Sequence, residues 1–146
     1  MTLNAGKGGV DPARKNIVLA ANTSERITAG MAANCIDYWV VNQELLTNRF
    51  RAYKITSAGV NPVPVVSTVG SVFGYAGAIR LSHNGKKIFN TGYTGDKPTG
   101  VQIYDFSNVT GVVSSPQTVT SSAGYSAEFS PNDSLFYVGR LNNLEQ

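Results

Sequence analysis

Apolar and polar positions alternate with period two over Val101-Gln102-Ile103-Tyr104-Asp105-Phe106, the pattern of a half-buried strand. Gly77 to Leu81 and Lys87 to Thr91 read as two further strands, joined through His83-Asn84-Gly85. Asn-Gly is the strongest short hairpin signal, because both residues tolerate a positive φ. Gly92 to Gly100 is a polar loop, Ser107 to Ser115 turns again, and Gln117 to Thr120 supplies an outer edge strand. The pattern therefore predicts a unit of four antiparallel strands over about residues 75–120.

The same plan recurs on both sides. Leu81-Ser82-His83-Asn84-Gly85-Lys86-Lys87-Ile88-Phe89 aligns with Phe129-Ser130-Pro131-Asn132-Asp133-Ser134-Leu135-Phe136-Tyr137 at an offset of about 48 residues. Arg51-Ala52-Tyr53-Lys54-Ile55 aligns with Gln102-Ile103-Tyr104-Asp105-Phe106 at about 51, and Gly59-Val60 and Pro64 fall on Gly111-Val112 and Pro116. A first unit, about 25–70, then takes its strands from Ile27 to Ala29, Asp37 to Val41, Phe50 to Ile55 and Val65 to Val69. A last unit, about 124–146, holds only part of the plan, and Asn16 to Ala21 reads as an outer strand of a unit before the first. Residues 1–15 form a flexible N-terminal segment, and 16–146 a partial propeller. No long window carries a 3.6-residue stripe, and the best helix candidate, Gln43 to Asn48, is too short to stand alone. The fold expected is all-β: β-propeller blades of four antiparallel strands, two complete and a third partial, as a fragment or open arc.

An open arc leaves two blade faces uncovered. Five large apolar side chains on each, at ~1.5–3 kcal/mol apiece, forfeit roughly 10 kcal/mol per face, which rivals the stability of a whole domain. The sequence is therefore expected to be a piece of a longer protein, the favoured reading, or to close a ring by self-assembly. The opening stretch Met1-Thr2-Leu3-Asn4-Ala5-Gly6-Lys7-Gly8-Gly9 has no signal-peptide core, which the fragment reading explains.

Charged residues are only 14% of the 146, so the surface relies on Ser, Thr, Asn and Gly, a composition that suits a secreted or cell-surface protein. The net charge of +3 gathers into no basic stripe, which argues against nucleic-acid binding. No apolar run approaches the ~18 residues of a membrane-spanning helix. The single cysteine, Cys35, excludes a disulfide within the chain and reads as a small buried hydrophobe.

Gly124-Tyr125-Ser126-Ala127-Glu128-Phe129-Ser130-Pro131-Asn132-Asp133 resembles the blade motif of WD-like propellers. Tyr38-Trp39-Val40-Val41, with Asn48-Arg49-Phe50 and Tyr53-Lys54-Ile55-Thr56-Ser57-Ala58-Gly59-Val60, resembles a run found in large secreted Bacteroidetes proteins. In those proteins a propeller precedes a type IX secretion sorting domain, often described as gliding-motility-associated. The resemblance covers about residues 16–146 and implies fold and a secreted or cell-surface location more than a ligand. His83 stands where the motif has Pro and Asp133 where it has Gly, and both are turn positions.

Chemistry is sparse. One His and one Cys cannot build a metal site of their own, and His83 reads as an exposed turn residue. Asp96, Asp105, Glu128 and Asp133 lack calcium-loop spacing, although loops can still assemble such a site. Gly6-Lys7-Gly8-Gly9 lacks the Ser or Thr and the strand of a phosphate loop. No cofactor is expected. Of the seven tyrosines, Tyr53, Tyr104 and Tyr137 read as packing between blades with their hydroxyls at the rim. Tyr75, Tyr93 and Tyr125 lie by Gly-rich loops or at inner-strand starts and are candidates for a ligand surface. Arg80 and Glu128 hold equivalent blade positions and are candidates for a polar channel lining.

The expected function is a non-catalytic extracellular or cell-surface module that binds a protein or polysaccharide. The alternative is part of a propeller enzyme, of lactonase or polysaccharide-lyase kind, whose converging catalytic residues lie in other blades.

Overall fold

A computed structural model describes residues 9, 12, 15–93, 100–140 and 144–146. Of the flexible segment expected at 1–15, only residues 9, 12 and 15 are among them, and Asp96 also lies outside the described residues. The chain is all-β, with antiparallel pairing throughout the described ladders. Strands β1 (Thr23–Met31), β2 (Tyr38–Glu44), β3 (Arg49–Thr56), β4 (Gly59–Val60) and β5 (Val65–Thr68) form the first sheet, where β3 pairs with both β4 and β5. The second is a four-stranded meander of β6 (Ile79–Leu81), β7 (Lys87–Gly92), β8 (Gly100–Phe106) and β9 (Val113–Thr120). The third comprises β10 (Ser126–Phe129), β11 (Phe136–Gly139) and β12 (Leu144–Glu145).

One turn recurs in all three sheets and fixes their common register. Between the first two strands of each, Ala32, Ser82 and Ser130 donate their backbone N–H to the carbonyls of Asp37, Lys87 and Leu135. Asn34, Asn84 and Asn132 turn their side-chain oxygens back onto the N–H groups of Ile36, Lys86 and Ser134. The next residue is left-handed each time: Cys35 at φ 56°, Gly85 at 68° and Asp133 at 56°. Asn side chains favour this local closure, and the left-handed position costs a residue with a Cβ more than it costs Gly. Cys35 is thus exposed in a turn, not buried as its isolation in the sequence suggested.

The sheets pack face to face through alternate side chains of the same strands. Trp39, Val41, Phe50 and Ala52 of the first meet Ile79, Ile88, Tyr104 and Phe106 of the second. The Phe50 and Tyr104 rings stand edge-on at 5.0 Å, an arrangement aromatic pairs prefer. From the opposite face of the second sheet, Phe89 and Val101 meet Ala127, Phe129 and Val138 of the third, with Phe89 and Phe136 at 4.8 Å. Gly111, at φ 78°, passes so close beneath the Trp39 ring that a Cβ there would stand 2.6 Å from it. Trp39 Nε1–H donates to the Asn108 carbonyl at 2.9 Å, which satisfies the polar end of this ring.

A buried cation ties the first sheet to the second. Arg26 is 1% exposed. Its Nη1 donates to the Thr91 carbonyl at 2.7 Å and to Asn90 Oδ1 at 3.3 Å, and its Nη2 to the Gly74 carbonyl at 2.9 Å. Asn90 in turn donates to Gln43 Oε1 at 3.1 Å. Burial pulls the Arg26 pKa down from 12.5 to about 10.

Gln43 to Asn48, too short for a helix that stands alone, is not helical, as expected: Gln43 and Glu44 end β2, and residues 45–48 turn into β3. The sequence reading and the structure differ at other elements. Residues 17–20 form no strand. They cross the outward face of the first sheet, where Ile17, Leu19 and Ala20 line a cavity with Val40 and Tyr53, and so have no sheet edge to pair with. Outer strand β9 begins at Val113, earlier than expected, because a bulge opposite Tyr104 accommodates Ser115, at φ 52°, and Pro116. Proline is tolerated there on an edge strand.

Candidate functional site

The first strands of the three sheets lie side by side in chain order, with β1 against β6 and β6 against β10. Thr28 Oγ1 of β1 accepts the N–H of Leu81 at 3.1 Å, which stitches two of them directly. All five candidate residues fall along this edge. Tyr93 extends β7 through an antiparallel bridge to Ala76, next to Tyr75. Tyr125 directly precedes β10, anchored by its N–H on the Gly139 carbonyl at 3.0 Å. The Tyr93 and Tyr125 rings come together edge-on, 5.5 Å apart at 81°. Tyr75 and Tyr125 are both more than half or half open to solvent, at 56% and 50% exposure. Gly77, at φ 134°, makes the bend that separates Tyr75 from β6, and Thr91 presses so closely there that no side chain fits.

Arg80 and Glu128 also meet, but elsewhere on the edge. Arg80 pairs with Phe89 in the ladder, four residues beyond the Ala76 bridge, or about 13 Å along a strand. Its Nε lies 3.3 Å from Glu128 Oε2, with both side chains largely exposed. Arg80 Nη1 also donates to the Ile79 carbonyl at 3.0 Å. The two charges therefore neutralise each other across the second and third sheets, and the tyrosine patch is a separate surface of uncharged, amphipathic rings.

Elsewhere the polar groups serve structure. His83 is exposed in its turn, as expected, but its ring Nδ1 lies 2.9 Å from Asp133 Oδ1. The same carboxylate accepts the N–H groups of His83 and Asn84, each at 2.8 Å. Burial alone would raise the Asp133 pKa; these bonds outweigh it and hold it below the usual carboxylate value. Asp105 is also lowered, by the Lys87 ammonium at 2.7 Å and by Ser115. Tyr104 is buried between sheets as expected, but its hydroxyl bonds inward to Gln102 Oε1 at 2.6 Å and does not reach the rim. Burial pushes its pKa up from 10.0 to about 12. Tyr53 is buried on the opposite face, beneath residues 17–20, with its hydroxyl 3.5 Å from the Leu19 carbonyl.

Among the described residues there is no group of three or more His, Cys, Asp or Glu side chains suited to a metal, and no helix long and apolar enough to cross a membrane. Comparison with models of known families, with curated proteins and with solved structures finds no match.

Proposed function

We propose that the three sheets are successive blades of a β-propeller, and that the module binds a polysaccharide or protein outside the cell through its tyrosine patch. The observation that carries this reading is the pairing of the Tyr93 and Tyr125 rings at the inner edge where the second and third sheets meet. Exposed aromatic rings offer a stacking face and a hydroxyl at low entropic cost, which suits sugar rings and extended peptides. Placing them on loops beside a rigid sheet edge follows the usual division between scaffold and site. The reading is non-catalytic, since the acidic and basic groups of the edge are spent on each other. The resemblance to secreted Bacteroidetes propellers supports a secreted or cell-surface location within a larger protein.

The test is calorimetric titration of the chain against a panel of cell-envelope and plant polysaccharides, and pull-down from outer-membrane extracts. Binding that falls at least tenfold in Tyr125→Ala and is unchanged in Arg80→Gln supports the proposal. Binding that ignores Tyr93 and Tyr125 but is lost in Arg80→Gln moves the site to the ion pair and refutes it.

A further inference from the structure

Each tyrosine of the patch follows a glycine: Gly74-Tyr75, Gly92-Tyr93 and Gly124-Tyr125. The first pair lies in the connector before β6, the second at the end of β7, and the third just ahead of β10. All three converge on one buried side chain of the first sheet, Arg26.

The contacts run from the guanidinium outward. Arg26 Nη2 donates to the Gly74 carbonyl, next to Tyr75, at 2.9 Å. The guanidinium also sits over the buried Phe73 ring at 6.0 Å. Gly92 runs against that ring so closely that a Cβ would stand 2.7 Å from it. Arg26 Nη1 donates to the Thr91 carbonyl at 2.7 Å, and Thr91 Oγ1 accepts the N–H of Ala78 at 2.7 Å. Just beyond Thr91, Tyr93 donates its N–H to the Ala76 carbonyl at 2.9 Å. Thr91 also faces Gly124, where an added Cβ would come within 3.3 Å of the Thr91 Cβ. The backbone ahead of every ring in the patch therefore rests on the fork or on a residue the fork holds.

The fork has no other evident employment. Among the described residues no carboxylate forms an ion pair with Arg26. Its partners there are neutral: the two carbonyls, Asn90 Oδ1 and Ser24 Oγ. A buried cation held by neutral dipoles alone is costly. What guanidinium offers, and an ammonium or an apolar side chain does not, is a rigid plane that fixes two acceptors relative to each other. The two backbone acceptors fixed here belong to the segments that carry Tyr75 and Tyr93.

We propose that Arg26 is the positioning residue of the tyrosine patch, setting the backbones ahead of Tyr75 and Tyr93 directly and the seat of Tyr125 through Thr91. The first sheet is thereby part of a site whose rings all stand on the other two. Rings set before a ligand arrives lose less freedom when it binds. The inference rests on the reading of this patch as the binding surface, but the positioning is measured without a ligand.

Nuclear magnetic resonance of the chain reads it. In the wild type, the Arg26 Nη protons are expected as separate, slowly exchanging signals, coupled across their hydrogen bonds to the Thr91 and Gly74 carbonyls. The Tyr93 and Tyr125 rings, 5.5 Å apart, are expected to share a cross-peak. Arg26→Ala should lose that cross-peak while keeping the one between Trp39 and Phe106, which spans the same first-to-second interface. Millimolar guanidinium ion, far below denaturing concentration, should restore it. Arg26→Lys keeps a charge without the fork and should lose the cross-peak too, which carries the comparison if Arg26→Ala does not fold. A merely structural role would lower the urea midpoint and leave the ring pair of the folded molecules unchanged. A folded Arg26→Ala or Arg26→Lys chain with the Tyr93–Tyr125 cross-peak at wild-type strength overturns the proposal and leaves the patch standing. So do wild-type Arg26 protons that exchange freely with water. A wild type whose Tyr93 and Tyr125 rings never meet removes the patch itself, and the proposal with it.

Discussion

Replacing Arg26 with Met keeps an unbranched apolar stem and removes the guanidinium. Three buried acceptors on distant residues lose their donor, the Thr91 and Gly74 carbonyls and Asn90 Oδ1, at 2.7, 2.9 and 3.3 Å, as does Ser24 Oγ on the same strand at 3.5 Å. Hydrogen bonds to a charged donor contribute about 1.5–3 kcal/mol each, or roughly 4–9 kcal/mol for three. Against this stands the cost of holding the cation out of water. A pKa lowered from 12.5 to about 10 corresponds to about 3 kcal/mol at ~1.4 kcal/mol per unit. Met recovers that cost and some apolar contact with Phe73, over which the guanidinium now sits at 6.0 Å. The balance is a destabilisation of about 1–6 kcal/mol, read as a lower urea midpoint with an unchanged slope. Because Gly74 lies in the connector before β6, amide hydrogen exchange in residues 71–77 should accelerate along with the global loss. Buried ionic groups can sometimes be exchanged for apolar ones at no loss. An Arg26→Met chain within ~0.5 kcal/mol of wild type would show that to be the case here and refute the reasoning.

Other consequences follow from the same geometry. Tyr104 holds its proton to about pH 12 when folded, against 10.0 for an ordinary tyrosine. The folded state therefore binds the extra proton between pH 10 and 12, and stability from this group is lost as pH rises through that window. Wild type should lose about 2–3 kcal/mol relative to Tyr104→Phe between those limits, measured by urea midpoints at each pH; a constant difference would contradict the burial. Phe89→Ala removes a fully buried ring packed against Phe129 and Phe136, and should cost about 3–5 kcal/mol by thermal or urea denaturation. Cys35→Gly relieves a left-handed residue at φ 56° and should be neutral to stabilising by up to about 0.5 kcal/mol, the strain relief being offset by a freer unfolded chain.

The middle sheet was legible because its signals are local. The run of alternating apolar and polar residues from Val101, broken only at Asp105, and the Asn84-Gly85 turn place three strands without reference to anything distant. The first sheet hid its version of the same turn, since Ala32 replaces the Ser of the other two and Cys35 stands where they have Gly85 and Asp133. Arg26 was unreadable for another reason. In Ser24-Glu25-Arg26-Ile27 it looks like a solvated charge, and its partners lie about 48–65 residues away. In the sequence Asp133 reads as a tolerated turn residue, whereas its carboxylate bonds a neighbouring turn, a contact that only the stacking of sheets creates. In the candidate site, the five residues were nameable from loop and strand positions, but their division into a ring pair and a self-neutralised ion pair required the third dimension.

The central claim is that three antiparallel sheets stack in one order, each burying one face on the next. The most direct measurement is nuclear Overhauser contact between aromatic rings across the two interfaces in the folded chain. The account predicts cross-peaks between Phe50 and Tyr104, 5.0 Å apart across the first, and between Phe89 and Phe136, 4.8 Å apart across the second. A folded chain that shows the strand-to-strand contacts within each sheet but neither ring contact between sheets would contradict it.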